Sequence, residues 1–195
     1  MEREPQPPPS AASGPQAPRW AWWVASGLGS GRLRPAPGTW GTLASLVAWC
    51  LFSPFLATPW PGLSEVLFLA VPLGMSWLAV AASDRVVAET GEKDPGWIVA
   101  DEWAGMWITL WPVRWEIARN LPRLFQAGGW RWLPVLGVPF LVFRVLDIWK
   151  PWPIKQIQVL PAGSGIVADD VVAGLYGIPL VALLVPPLLR LLAAP

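Results

Sequence analysis

The sequence predicts an all-α, polytopic membrane protein with about four to five membrane-embedded helices and a short interfacial helix. Three observations predict it. Hydrophobic residues make up 54% of the 195 and charged residues only 14%, with a mean hydropathy of +0.44, a balance too apolar for an ordinary soluble domain. Apolar runs close to the roughly 20 residues that a bilayer demands recur along the chain. Sixteen Trp against one Tyr suit the headgroup interface, with some of the sixteen left for the core. The same composition excludes several functions. A formal net charge of +1 leaves no nucleic-acid footprint. With no His and only Cys50, disulfides, Cys/His zinc sites and imidazole catalysis are ruled out, so any metal site must use oxygen. Cys50 lies in an apolar run and reads as a packing residue.

Residues 1–18 are rich in Pro, Ala, Ser and Gln without apolar periodicity, so a disordered tail is expected, followed by one membrane-embedded domain over 19–195. No signal peptide is expected, because Glu2 and Glu4 dilute the basic end and the first long apolar run starts late. Between Trp20 and Trp40, the Gly and Pro of Ser26–Gly31 and Ala36–Thr42 exclude a continuous helix. Apolar runs follow at Leu43–Ala57, interrupted at Pro54, and at Glu65–Ala82, where Pro72 and Gly74 predict a kink. Ser83–Gly96 collects Asp84, Arg85, Glu89, Glu92, Lys93 and Asp94 and reads as a solvated helix and turn. Trp97–Trp111 is apolar except for Asp101, Glu102 and Thr109, and is short for a span. Arg114–Arg131 mixes arginines with Trp, Leu and Phe as an interfacial amphipathic segment does. Leu133–Lys150 and Gly165–Leu192 are the last two runs, the latter interrupted by Pro179, Pro186 and Pro187.

Charge constrains topology. With the N-terminus inside, Arg19, Arg32, Arg34, Arg85, Lys93, Lys150 and Lys155 all fall on the cytoplasmic side. Five full crossings would put Arg114, Arg119, Arg123 and Arg131 outside, so Trp97–Trp111 either crosses or is re-entrant.

Five acids lie in apolar surroundings: Asp101, Glu102, Asp147, Asp169 and Asp170. An ion left unpaired at mid-bilayer costs at least about 2.5 kcal/mol, so the acids need a shared partner. Inside-first topology brings all five toward the cytoplasmic face. There Mg2+, which favours carboxylate oxygen and retains water, suits a site without His or Cys. Gly105, Ala173, Gly174 and Gly177 would let the helices approach closely enough to share it. Arg144, Asp147 and Lys150 recur at helical spacing of three and end the Leu133 run before Pro151 and Pro153. Arg144 offers a planar fork and Lys150 a point charge for a phosphate, and the main-chain N–H groups of Gly38, Thr39, Trp40, Gly41 and Thr42 at a helix start can cradle an anion. The blander alternatives are an Asp147 ion pair with Arg144 or Lys150, interfacial acids in water, and an ordinary cap by Thr39 or Thr42.

Three separated strings then form a pattern: Gly29-Ser-Gly31 continuing to Ala36-Pro-Gly-Thr-Trp-Gly-Thr42; Asp94-Pro-Gly-Trp-Ile-Val-Ala-Asp-Glu102 continuing to Gly105-Met-Trp-Ile-Thr109; and Phe143-Arg-Val-Leu-Asp-Ile-Trp-Lys-Pro-Trp-Pro-Ile154 with Gly163–Gly174. Together, over roughly residues 22–180, they resemble the phosphatidylglycerophosphatase A family of bacterial membrane enzymes. The resemblance implies a Mg2+-dependent phosphatase that removes the terminal phosphate of phosphatidylglycerophosphate in phospholipid metabolism, at the cytoplasmic face of the inner membrane. It also implies Asp101, Glu102, Asp147, Asp169 and Asp170 as catalytic metal-site acids, and Arg144, Lys150, Gly38, Thr39, Gly41 and Thr42 beside the phosphate. The proline-rich tail and the Trp load fall outside the family pattern.

The residues agree with that reaction: acids that hold a divalent ion can neutralise a phosphoryl group and activate water, with one acid serving as proton carrier. An Asp nucleophile is the other route. The competing function is a cation- or proton-coupled transporter, since intramembrane acids and proline-broken helices also mark ion paths. Against it, no internal repeat is evident and the acids gather near one face. A lipid-binding scaffold would explain the Trp and Arg but not the buried acids.

Overall fold

The computed structural model describes residues 16–121 and 129–193, and every regular element among them is helical. Residues 1–15 of the expected tail, and residues 122–128 of the expected interfacial segment with Arg123, lie outside the described residues. The elements are α1 (Arg19–Ala25), α2 (Pro37–Leu56), α3 (Pro61–Thr90), α4 (Ala100–Thr109), α5 (Arg114–Asn120), α6 (Leu133–Trp149), α7 (Ile154–Ile157) and α8 (Ala162–Ala193). Three are long and apolar enough to cross a membrane: Pro37–Leu56, Pro61–Thr90 and Ala162–Leu191. With α6, of 17 residues, they surround the short α4, all but one of whose residues are buried.

Several boundaries differ from those expected, each for a physical reason. Helix α2 starts at Pro37 rather than Leu43, because proline at the first position has φ already set for a helix and no N–H to satisfy. Gly38–Thr42 is therefore the opening of a 20-residue helix and not a loop. Pro54 sits inside α2, Pro72 inside α3, and Pro179, Pro186 and Pro187 inside α8 without ending them, as membrane helices tolerate where neighbours satisfy the freed carbonyls. Ser76 Oγ donates back to the Pro72 carbonyl at 2.9 Å, a side-chain bond to the carbonyl four residues earlier that often bends a helix.

Helix α3 runs through the charged stretch to Thr90 before Gly91, at φ 71°, closes it. At 1.5 Å per residue its 30 residues reach about 45 Å, beyond the roughly 30 Å hydrocarbon layer. Its last turns thus carry Asp84, Arg85 and Glu89 past the apolar zone. Two of these acids do more than meet solvent. Asp84 Oδ1 accepts from the Gly163 N–H at 2.7 Å at the start of α8. Glu89 Oε2 accepts from the Ala17 N–H and the Trp22 indole at 2.7 and 3.1 Å, fastening α1.

The short α4 does not turn back. Beyond it, a 3-10 turn at Trp111–Val113 leads into α5, where Arg114 Nη2 donates to both carboxylate oxygens of Glu65 at 2.8 Å. Glu65 lies near the start of α3, about 28 Å in axial rise from Asp84 by helical geometry. Arg114 also stacks on Trp111, and Arg119 on Trp115, at 4.4 and 4.5 Å. Of the arginines at this end, Arg114 is thus paired with Glu65 and both Arg114 and Arg119 are covered by indole.

Tryptophan divides between two roles. Trp49, Trp103 and Trp107 are core, Trp49 and Trp107 meeting at 5.5 Å, with the Trp107 indole donating to the Ser45 carbonyl at 2.9 Å. Trp23, Trp60, Trp77, Trp130, Trp149 and Trp152 are exposed, as an interfacial belt requires.

Candidate active site

Helix packing decides which acids meet. Helices α4 and α8 touch backbone to backbone: a Cβ on Gly174 would stand 2.5 Å from the Gly105 carbonyl oxygen, and one on Gly105 would stand 2.5 Å from the Asp170 carbonyl oxygen. Only glycine permits that approach. Gly177 is similarly pressed on Thr109, at 2.8 Å to its Cγ2, and Ala173 is fully buried.

Because Asp101 and Glu102 open α4 and Asp170 lies in the third turn of α8, the contact gathers three carboxylates. One oxygen from each of Asp101, Glu102 and Asp170 falls within 4.8 Å of the others. Asp101 Oδ1, Glu102 Oε2 and Asp170 Oδ2 are buried without a hydrogen-bond partner among the described residues. Buried acceptors left unpaired in this way need a ligand. Oxygens that near one another can converge on a single hard divalent cation with small side-chain shifts. The set therefore fits Mg2+, with Asp101, Glu102 and Asp170 as the residues that would hold it.

The other two predicted acids stand beside this trio with partners of their own. Asp147, from the last turn of α6, stands close to the Asp170 carboxyl, and its Oδ2 accepts from Arg144 Nη1. Arg144 Nη1 also lies 3.8 Å from Glu102 Oε1 and 3.4 Å from Thr42 Oγ1, so one guanidinium bridges α6, α4 and α2. Asp169 is turned to the other side of α8, where its Oδ2 accepts from Lys150 Nζ and from Gln158 Nε2, the latter at 2.8 Å. Burial works against charge on Lys150, but the Asp169 hydrogen bond and the field of Asp169, Asp170 and Asp147 outweigh it and hold the ammonium above its ordinary pKa.

The opening of α2 completes the ring. A Cβ on Gly38 would collide with Glu102 Oε1 and come 3.3 Å from both terminal nitrogens of Arg144, so the helix N-terminus faces the acids and the arginine. Trp40 N–H donates to the Ala36 carbonyl at 3.1 Å, Pro37 has no N–H, and the Gly38 and Thr39 N–H groups have no backbone partner among the described residues. Those two donors point out of the positive end of the helix. Gly41 and Thr42 serve differently. A Cβ on Gly41 would lie 2.6 Å from Val99 Cβ, and Thr42 Oγ1 donates to the Gly38 carbonyl at 2.8 Å. Both hold α2 against the segment leading to Asp101.

That segment is itself stitched down, with the Val99 N–H donating to the Ala25 carbonyl at 2.8 Å. Gly27 and Gly31 are crowded by Trp103, Val99 and Trp97, which accounts for the glycines preceding Arg32. Sequence reading missed Gln158, one polar residue of the Lys155–Gln158 stretch with no periodic signal to single it out, and the anchoring of α8 by Asp84.

Comparison with known proteins bears out the family resemblance. A family model described as Phosphatidylglycerophosphatase A matches residues 23–185. The chain is 39% identical over 152 residues to Phosphatidylglycerophosphatase A of Escherichia coli (strain K12), covering 77% of this chain and 75% of that protein. It is 33% identical over 156 residues to Phosphatidylglycerophosphatase A of Haemophilus influenzae, covering 80% and 82%. A protein of Bacteroides thetaiotaomicron, provisionally described as a phosphatidylinositol-3-phosphatase, is 30% identical over 162 residues, covering 82% and 89%. No solved structure matches the chain at a significant level.

Proposed function

Since the chain belongs to the phosphatidylglycerophosphatase A family, we propose that it hydrolyses the terminal phosphate of phosphatidylglycerophosphate with Mg2+, as a multi-pass protein of the bacterial inner membrane with its site at the cytoplasmic face. The observation that carries this reading is the trio of Asp101, Glu102 and Asp170, with unpaired buried oxygens, beside Arg144 and the free N–H groups of α2. A guanidinium and a helix N-terminus converging on the same acids favour an anion held at the cation over passage of a cation or proton alone. A phosphate monoester needs both.

Asp101, Glu102 and Asp170 would hold the divalent ion, which would supply charge neutralisation of the phosphoryl group. The chain's own groups do the rest. Arg144 and the Gly38 and Thr39 N–H groups orient the phosphoryl oxygens for in-line attack. Asp147, held by Arg144 and close to Asp170, takes a proton from the attacking water as the new P–O bond forms. The bond from phosphorus to the glycerol oxygen breaks, and that oxygen recovers a proton from the acid cluster, giving phosphatidylglycerol and phosphate. Asp169 holds Lys150 at the rim. Residues 19–195 act as one phosphatase domain.

The test is phosphate release from phosphatidylglycerophosphate by purified protein in detergent, with Mg2+ and with chelator, using unaltered protein and the Asp170→Asn and Glu102→Gln variants. Release by unaltered protein with Mg2+, and loss of at least about 10²-fold in each variant, is expected. Release indifferent to chelator, or full activity in both variants, would refute the reading. A parallel assay on phosphatidylinositol 3-phosphate decides between the headgroups named among the relatives.

A further inference from the structure

A cavity of about 580 Å3 opens at the start of α2, lined by Arg32, Arg34, Pro35, Pro37, Trp22 and Trp97 among others. It ends at Pro37, the neighbour of Gly38, whose Cα faces Glu102 and Arg144. The floor is rigid. Trp22 and Trp97 stack at 5.1 Å with their planes 9° apart, and Gly31 lies so close to the Trp97 carbonyl that no side chain fits between them. No carboxylate lines the cavity, and neither arginine has an ion-pair partner among the described residues. The contrast with the site is sharp, since Arg144 and Lys150 are both engaged by acids there.

We propose that Arg32 and Arg34 form a second anion subsite, which holds the phosphodiester of the lipid substrate while its terminal phosphomonoester lies at the acids. This rests on the proposed hydrolysis of phosphatidylglycerophosphate, a lipid that carries two phosphates joined by a three-carbon bridge. Two guanidinium forks without acids match a monoanionic diester. A cluster of acids holding a divalent ion instead suits the dianionic monoester. The two subsites meet across the first turn of α2, so a short bridge can join their occupants. The apolar indole floor tolerates the bridge and leaves the arginines as the polar contact. Substrate choice would then follow from the second phosphate: a lipid with only a monoester would leave Arg32 and Arg34 unused.

The experiment measures steady-state kinetics of the full chain in zwitterionic detergent micelles, with phosphatidylglycerophosphate or phosphatidic acid as the sole anionic lipid. The Arg32→Gln/Arg34→Gln double variant should raise KM for phosphatidylglycerophosphate about tenfold or more, the loss expected for charge-assisted contacts at an exposed phosphate. Its kcat should change far less. The Arg32→Lys/Arg34→Lys variant should recover part of the loss. Phosphatidic acid, followed as substrate and as competitor, should be affected far less than the diphosphate lipid. An equal loss for both lipids would assign the arginines to general attraction of anionic lipid and overturn the subsite, as would an unchanged KM. Failure of the unaltered protein to release phosphate from either lipid would instead overturn the parent reading, and the substrate subsite with it.

Discussion

Replacing Gly105 or Gly174 with Ala should separate the site's acids without touching them. In either variant the new Cβ would lie 2.5 Å from a carbonyl oxygen of the facing helix, whereas ordinary contact begins at 3.4 Å. Helices α4 and α8 must therefore part by about 0.9 Å, taking the 3.4 Å contact as the new limit. Overpacking costs about 1–3 kcal/mol, and alanine returns about 1 kcal/mol of helix propensity. The net destabilisation is then about 0–2 kcal/mol, so the helices still assemble. Chemistry tolerates the shift less well, because Asp101 and Glu102 move with α4 while Asp170 moves with α8. A displacement near 1 Å at a reacting centre costs about 10²-fold. Purified Gly105→Ala and Gly174→Ala should keep their helical circular dichroism and lose no more than about 8 °C in Tm. Phosphate release should fall about 10²-fold, and half-maximal rate should demand more Mg2+. Gly74→Ala and Gly137→Ala are the controls, since nothing lies within 4 Å of a Cβ at either position. Unchanged rate and Mg2+ dependence in both test variants would refute the claim that glycine contact sets the spacing of the acids.

Arg144→Lys keeps the charge but loses the fork that reaches Asp147, Glu102 and Thr42; kcat/KM should drop by at least about tenfold, and near-normal turnover would show that charge alone suffices. Carboxylates must shed protons to bind a cation. The Mg2+ concentration for half-maximal rate should therefore fall from about pH 6 to about pH 8, and a flat profile would count against carboxylate ligands. Saturating Mg2+ should raise Tm, by about 2.7 kcal/mol of linkage at a hundredfold excess over Kd, in unaltered protein but not in Asp170→Asn; equal shifts in both would place the ion elsewhere. Glu65→Gln breaks the paired contact with Arg114 at the far end of the bundle. It should lower stability by about 1 kcal/mol with phosphate release intact, and loss of catalysis without loss of fold would contradict the separation of the two ends.

Composition determined much before any helix was placed. An apolar, Trp-rich chain has the membrane as its solvent, and one without His and with a single Cys has only oxygen to offer any metal, because both follow from side-chain type alone. Helical spacing likewise put Arg144 and Asp147 on one face of α6, where they pair. The adjacent acids Asp169 and Asp170 were harder to read: successive helical residues are about 100° apart, so one faces the trio while the other faces Lys150. Which does which depends on the rotation of α8 against α4. The glycine contact at Gly105 and Gly174 sets that rotation, and nothing local to the Asp-Asp pair records it. The same holds for Gly38 against Glu102 and for Arg32 and Arg34 beside Pro37. Residue chemistry is a property of the string. Close approach between segments far apart in the string exists only once the helices pack, and at this site it decides which carboxylates meet.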